Sequence, residues 1–208
     1  MHRHVRALEQ ALADAESVVI VLTHGHPDHA EAAPTLAAQV GAEIVGPEGL
    51  DVVDRALRNG DVVETDHGPI VAVHTPGHTV EHLSFHWPAR NALFAGDMVL
   101  GEGDTTWVAE YPGCVADYLA SIERLRALAL SVLYPAHGAP LTDPADALDR
   151  YESHRMSRIR QVEGAMSAHP GADVEELLDI VYGATVPRAV RGAARMSLAA
   201  LVEYVRGA

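Results

Sequence analysis

The chain has 208 residues, 48% of them hydrophobic but only 5% aromatic, enough for one well-filled domain with an aliphatic core and a small appendage at most. Its formal net charge of −14, from 29 acidic and 15 basic residues, argues against an extended polyanion as partner. A lone cysteine, Cys114, excludes an internal disulfide, and no apolar run approaches the roughly 20 residues that span a bilayer.

The opening sixteen residues are polar and helical in spacing, unlike a secretory signal, so the expected location is cytoplasmic. "SVVIVLT" (17–23) is a short β-branched run that predicts a buried strand. An Ala-rich helix follows, with Pro34 in its first turns and Gly41 at its end, and "AEIVG" predicts a second buried strand. Strand, crossover helix and strand make a parallel βαβ unit. Two hairpins come next, one turning at Asp66–Pro69 and one at Pro88–Asn91. "VADYLASIERLRALA" has an apolar stripe of helical spacing, and "SVLYP" is the last predicted strand. Beyond it the pattern is helical alone: a long helix over 144–168, then "DVEELLDIVYG" and "RAVRGAARMSLAALVEYVRG". The predicted division is a mixed body over 1–143 and a helical unit over 144–208.

Titratable side chains gather at strand ends. "THGHPDH" places His24, His26, Asp28 and His29 directly after the first strand. His78 in "HTPGHT", Asp97 in "AGDM" and His137 in "PAHG" each follow a later strand. Loops at one end of a sheet can converge. Neutral imidazole and carboxylate are the usual nitrogen and oxygen ligands of zinc and similar ions. His24 and His26, two apart on extended backbone, need a distant third ligand. Asp28 and His29 begin the next helix and suit a second ion, and Asp97 is a carboxylate able to bridge the two. Two ions roughly 3.5–4 Å apart form a hydrolytic pair, and the water between them ionises near neutral pH.

In these four motifs the chain resembles the metallo-β-lactamase superfamily. The resemblance implies an α+β fold, an αββα sandwich, with a dinuclear centre at one sheet edge. It implies His24, His26 and His78 on one ion, Asp28, His29 and His137 on the other, and Asp97 bridging. Asp28 and His137 would also serve catalysis, by orienting the attacking water and positioning substrate. "AGDM" departs from the true β-lactamases, which lack the bridging aspartate. The segments "GDMVLGEGDTTWVAEYPGCVADYLASIERL" and "YESHRMSRIRQV" are similar to the β-lactamase-like protein 2 group, and the seven ligands to glyoxalase II. In that group the C-terminal helices form a winged-helix-like domain. The superfamily normally has several strands before its first histidine motif, which here begins at His24. A fold shortened in that way would leave an open strand edge and apolar surface.

The expected function is a metal-dependent hydrolase with two divalent ions, zinc by default and manganese or iron(II) also compatible with these ligands. A bridging hydroxide would attack a small thioester or ester, with Trp107 and Tyr111 walling the substrate. The alternatives are a single-strand endoribonuclease and a non-catalytic, decayed paralogue acting as a binding module. The expected partners are a small-molecule substrate and, through the open edge, a second copy; nucleic acid is disfavoured and no membrane is expected. Arg150, Arg155, Arg158 and Arg160 with His154 form a basic cluster, read as a docking place for an anionic arm or as a solvated face paired with Asp149 and Glu152. Thr79 is placed to hydrogen-bond behind the ligands. His67, His74, His82, His86 and His154 are read as structural, and His2 and His4 as exposed.

Overall fold

The computed structural model describes residues 2–183 and 186–207, with side chains from residue 5 onward; His2 and His4 lie outside that side-chain description. Helix α1 spans His2–Ala11 and packs on α3. Strand β1 (Val19–Val21) leads into α2 (Pro27–Ala30) and α3 (Ala33–Val40), and β2 (Glu43–Pro47) returns parallel to β1. Pro27 and Pro34 sit in the first turns of their helices, where the missing N–H costs nothing, and Gly41 closes α3 at φ 69°.

Sequence reasoning overlooks β3 (Arg55–Leu57), which pairs parallel with β2. "RAL" contains no β-branched residue. Its pairing is supported by long-range contacts instead: Arg55 forms an ion pair with Glu43 at 3.0 Å, and the Asp54 carboxylate accepts the Ile44 N–H at 2.8 Å.

The second sheet runs β4 (Val62–Val63), β5 (Ile70–His74), β6 (Leu83–Trp87), β7 (Ala92–Gly96) and β8 (Val132–Pro135), in that spatial order. Both predicted hairpins are present as antiparallel pairs, β4 with β5 and β6 with β7. Strand β8 lies parallel to β7, reached through α4 (Cys114–Arg126). The tail forms α5 (Pro144–Ala168), α6 (Val174–Tyr182) and α7 (Arg188–Gly207). Asp143 caps α5 by accepting the Asp146 N–H, and Asp173 with Glu176 forms a reciprocal capping box on α6. No strand follows α5 among the described residues, so the tail is helical there, without the β-wing of a winged helix.

Alternation along the strands produces the layers. Leu22, Ile44, Ala33 and Ala37 fill the space between the first sheet and its helices. Val45, Leu57, Val63, Ala72, Leu83 and Phe85 lie between the sheets. Val73, Leu93, Ala95 and Leu133 point the other way, into a core completed by α4 to α7. The result is the expected αββα sandwich.

The first sheet has three strands and the second five, and β1 is an edge. Phe94 and Tyr134, stacked at 5.5 Å, continue the inter-sheet face past the cover of the shorter sheet and are 38% and 37% exposed. With Val19, Val21, Ile70 and Phe85 they line an open apolar groove of about 420 Å³. Among the described residues, no helix is long and apolar enough to cross a membrane.

Candidate metal centre

Four loops carry the predicted ligands, each leaving the carboxyl end of a strand: β1, β5, β7 and β8. The Leu83 N–H donates to the Thr23 carbonyl at 2.8 Å, tying the end of β1 in one sheet to the start of β6 in the other. That bond brings the histidines after β1 over the second sheet, where the other three loops emerge.

In the first group, His26 Nδ1 lies 3.1 Å from His24 Nε2 and 3.0 Å from His78 Nε2. The far side of each ring is held. His78 Nδ1–H donates to the Trp107 carbonyl at 2.9 Å, and His26 Nε2–H to Glu110 Oε1 at 2.7 Å. His24 Nδ1 meets Thr23 Oγ1 at 3.0 Å. These outer bonds occupy His26 Nε2 and His78 Nδ1, so in the neutral tautomers the inner nitrogens, His26 Nδ1 and His78 Nε2, turn lone pairs toward each other. Lone pairs at this separation repel unless a cation lies between them. The donor set therefore fits a metal ion.

In the second group, His137 Nε2 lies 3.3 Å from both His29 Nε2 and Asp28 Oδ2. Asp97 stands between the groups, its Oδ2 3.5 Å from His29 Nε2, 3.6 Å from His78 Nε2 and 3.7 Å from His137 Nε2. Asp97 Oδ1 is buried without a hydrogen-bond partner, a second observation that fits a cation. All seven predicted ligand residues thus meet in one place, in overlapping sets able to hold metal.

The electrostatics suit this use. Burial first, and then the neighbouring imidazoles, lower the His24 pKa to about 2. Burial also lowers His78, against the opposing pull of the Trp107 carbonyl. Both rings are neutral at pH 7, the form that binds metal. Burial acts to lower His29 and to raise Asp97, but their mutual hydrogen bond and charge outweigh it, raising the imidazole's pKa and lowering the carboxyl's.

His82, expected to be structural, is buried directly behind Asp97. Its Nε2 accepts the backbone N–H of Asp97 at 3.2 Å. Its Nδ1–H is then free to donate to Thr75 Oγ1 at 2.9 Å, the Thr75 hydroxyl to Ser84 Oγ at 2.9 Å, and the Ser84 hydroxyl to the Ala95 carbonyl at 3.3 Å. Burial holds His82 well below its ordinary pKa, keeping the neutral ring that this chain of donors requires. Gly96, at φ +56°, leaves room for the ring; a Cβ there would collide with His82 Nε2 and touch Thr23 Cβ. Thr79 makes no such bond, its buried hydroxyl being unpartnered; the threonine that meets a proposed ligand is Thr23, against His24. Neither His82 nor Glu110 carries a sequence signal, since loop spacing has no period and Glu110 lies 84 residues from His26. His82→Ala is expected to destabilise the metal-free protein by about 2–4 kcal/mol in urea unfolding, through a cavity and stranded polar groups. A midpoint equal to wild type would remove His82 from this role.

Of the predicted substrate residues, Trp107 meets the centre through its carbonyl, whereas Tyr111 packs on the main core and donates to Asp117 at 3.0 Å. Most of the basic cluster is engaged within the fold, and Arg160 is exposed. Arg150 pairs with Asp104 and Asp146, Arg158 lies 4.2 Å over the Tyr182 ring, and Arg155 is buried. Asp149 and Glu152 pair with Arg126 instead.

The family model of the metallo-beta-lactamase superfamily matches residues 46–137, spanning His78, Asp97 and His137. The chain is 30% identical over 205 residues to the beta-lactamase-like protein 2 homolog of Caenorhabditis elegans, covering 92% of this chain and 66% of that protein. It is 35% identical over 150 residues to the thioesterase pkgB of Emericella nidulans, covering 72% of this chain and 43% of that protein. The chain spans about half the length of several curated relatives it matches. A crystal structure of a beta-lactamase domain protein from Burkholderia ambifaria superposes with a TM-score of 0.84 at 21% identity, over 97% of this chain and 73% of that one. Four strand-end motifs, their convergence on one site, the two-sheet fold and these likenesses agree: the chain belongs to the metallo-beta-lactamase superfamily.

Proposed function

We propose that the chain is a hydrolase that holds two divalent ions, zinc by preference, and cleaves a small thioester or ester. One observation carries the proposal: two clusters of ligand-type atoms with one carboxylate, Asp97, within 3.7 Å of both. Ions bound there would supply an activated water and polarise the substrate carbonyl. His24, His26 and His78 form the enclosed side of the centre. Asp28 and His137 are its open members, with side chains 60% and 49% exposed, so substrate approaches from their side. Asp28 Oδ2 accepts a hydrogen bond from the attacking water and orients it. His137, the imidazole open to solvent, positions the substrate.

The thioester preference draws on three points. Two relatives are named thioesterases, the net charge of −14 repels a polyanion, and two of the α5 arginines that might have met phosphates, Arg150 and Arg155, are respectively paired and buried. The test is elemental analysis of untagged protein purified without chelator, followed by thioester and single-strand RNA assays. About two zinc ions per chain, with thioester hydrolysis abolished by chelation and restored by zinc, is the expected result. Folded protein without metal would sink the proposal, and RNA cleavage without thioester cleavage would replace its substrate.

A further inference from the structure

Arg155, at the middle of α5, is 4% exposed. Among the described residues it forms no ion pair with a carboxylate. Its Nη2 donates to the Thr106 carbonyl at 3.1 Å, its guanidinium lies 5.2 Å over the Tyr118 ring, and its Nε has no partner. Burial lowers its pKa, as expected for a cation taken out of water. An apolar side chain of similar length would fill this space at lower cost. The charge therefore calls for an explanation other than packing.

Both of its contacts lead to the metal centre. The Thr106 hydroxyl donates to the Asp97 carbonyl at 2.8 Å, and the next residue supplies the carbonyl that accepts His78 Nδ1–H. Tyr118, beneath the guanidinium, donates to the Met98 carbonyl at 3.0 Å, one residue from Asp97. Its backbone also closes on Gly77, beside His78: a Cβ added there would lie 2.5 Å from Tyr118 Cα. One guanidinium thus braces, by two routes, the loops that carry His78 and Asp97.

We infer that Arg155 is a positioning residue of the metal centre, through which α5 sets the placement of His78 and Asp97. The inference rests on the proposed use of those two residues as metal ligands. It gives "YESHRMSRIRQV" a role in metal affinity.

The test uses the full-length chain, stripped of metal and titrated with zinc against a chromophoric chelator, with the cobalt(II) absorption spectrum as a readout of ligand geometry. Arg155→Met and Thr106→Val are compared with wild type, and circular dichroism checks the fold of each metal-free protein. Both variants should bind zinc about tenfold or more weakly, the range seen when an outer-shell partner is lost, with an altered cobalt spectrum. Arg155→Lys, which keeps the charge and loses the planar fork, should also bind weakly. Wild-type affinity and spectrum in Arg155→Met and Thr106→Val would overturn the inference. If Arg155→Met does not fold, Arg155→Lys decides: weaker zinc binding with an altered cobalt spectrum supports the inference, and unchanged binding and spectrum end it. Wild-type protein that takes up no zinc would overturn the metal proposal itself, a result distinct from variants that bind as well as wild type.

Discussion

Asp97→Ala is expected to lower kcat/KM for a thioester about 10³-fold and to reduce bound metal from two ions per chain toward one. Asp97 Oδ2 reaches His78 of one group and His29 and His137 of the other. Its other oxygen is buried with no protein partner. If the two groups hold ions as proposed, removing this shared anion would leave two dications facing each other without the negative charge between them, and the more open group, Asp28, His29 and His137, would lose its ion first. Charge stabilisation by such a pair is worth several kcal/mol in the transition state, and about 4 kcal/mol corresponds to about three powers of ten in rate. Asp97→Asn keeps the shape and removes the charge, so it should lose nearly as much. Elemental analysis and steady-state kinetics on the same preparations provide the check. Two ions and near-normal turnover in Asp97→Ala would show that Asp97 does not join the groups.

A chain ending at Asp143 is expected not to fold, although every proposed ligand lies before that point. The main core does not stop at α5: Leu148, Tyr151, Ile159, Val162, Leu177, Leu178, Leu198 and Leu201 pack in one cluster with Leu93, Ile122, Leu125 and Leu133. Each large apolar side chain taken out of water is worth about 1.5–3 kcal/mol. Uncovering even four on α4 and the second sheet would consume most of the about 5–15 kcal/mol that separates a typical native domain from its unfolded state. Expression of 1–143 should therefore yield aggregated protein, or a soluble form without a cooperative unfolding transition. A monomeric, cooperatively unfolding 1–143 that binds zinc as the full chain does would show that the helices only decorate the body. It would also remove Arg155 from the metal centre.

What the sequence by itself determined about this protein is what local physics writes into neighbouring residues. The bounds of α5 were legible because Asp143 and Pro144 are start signals and helical spacing runs unbroken to Ala168. The hairpins were legible from β-branched runs flanking turn residues, and the βαβ unit from its alternation of patterns. The seven ligand-type residues could be named because four short motifs rich in histidine and aspartate each follow a predicted strand, and together they resemble one family's metal site. Tertiary structure alone decided the rest. Strand β3 depends on Glu43 and on the edge that β2 offers, neither of which is visible in "RAL". The hydroxyl behind a proposed ligand is that of Thr23, against His24, and not that of Thr79, while Thr75 meets His82. His82 and Glu110 acquired their roles from residues 15 and 84 positions away, and Arg155 from one 49 away. Such contacts leave no periodic trace in a sequence, because the three-dimensional approach of separate loops, not their spacing along the chain, creates them.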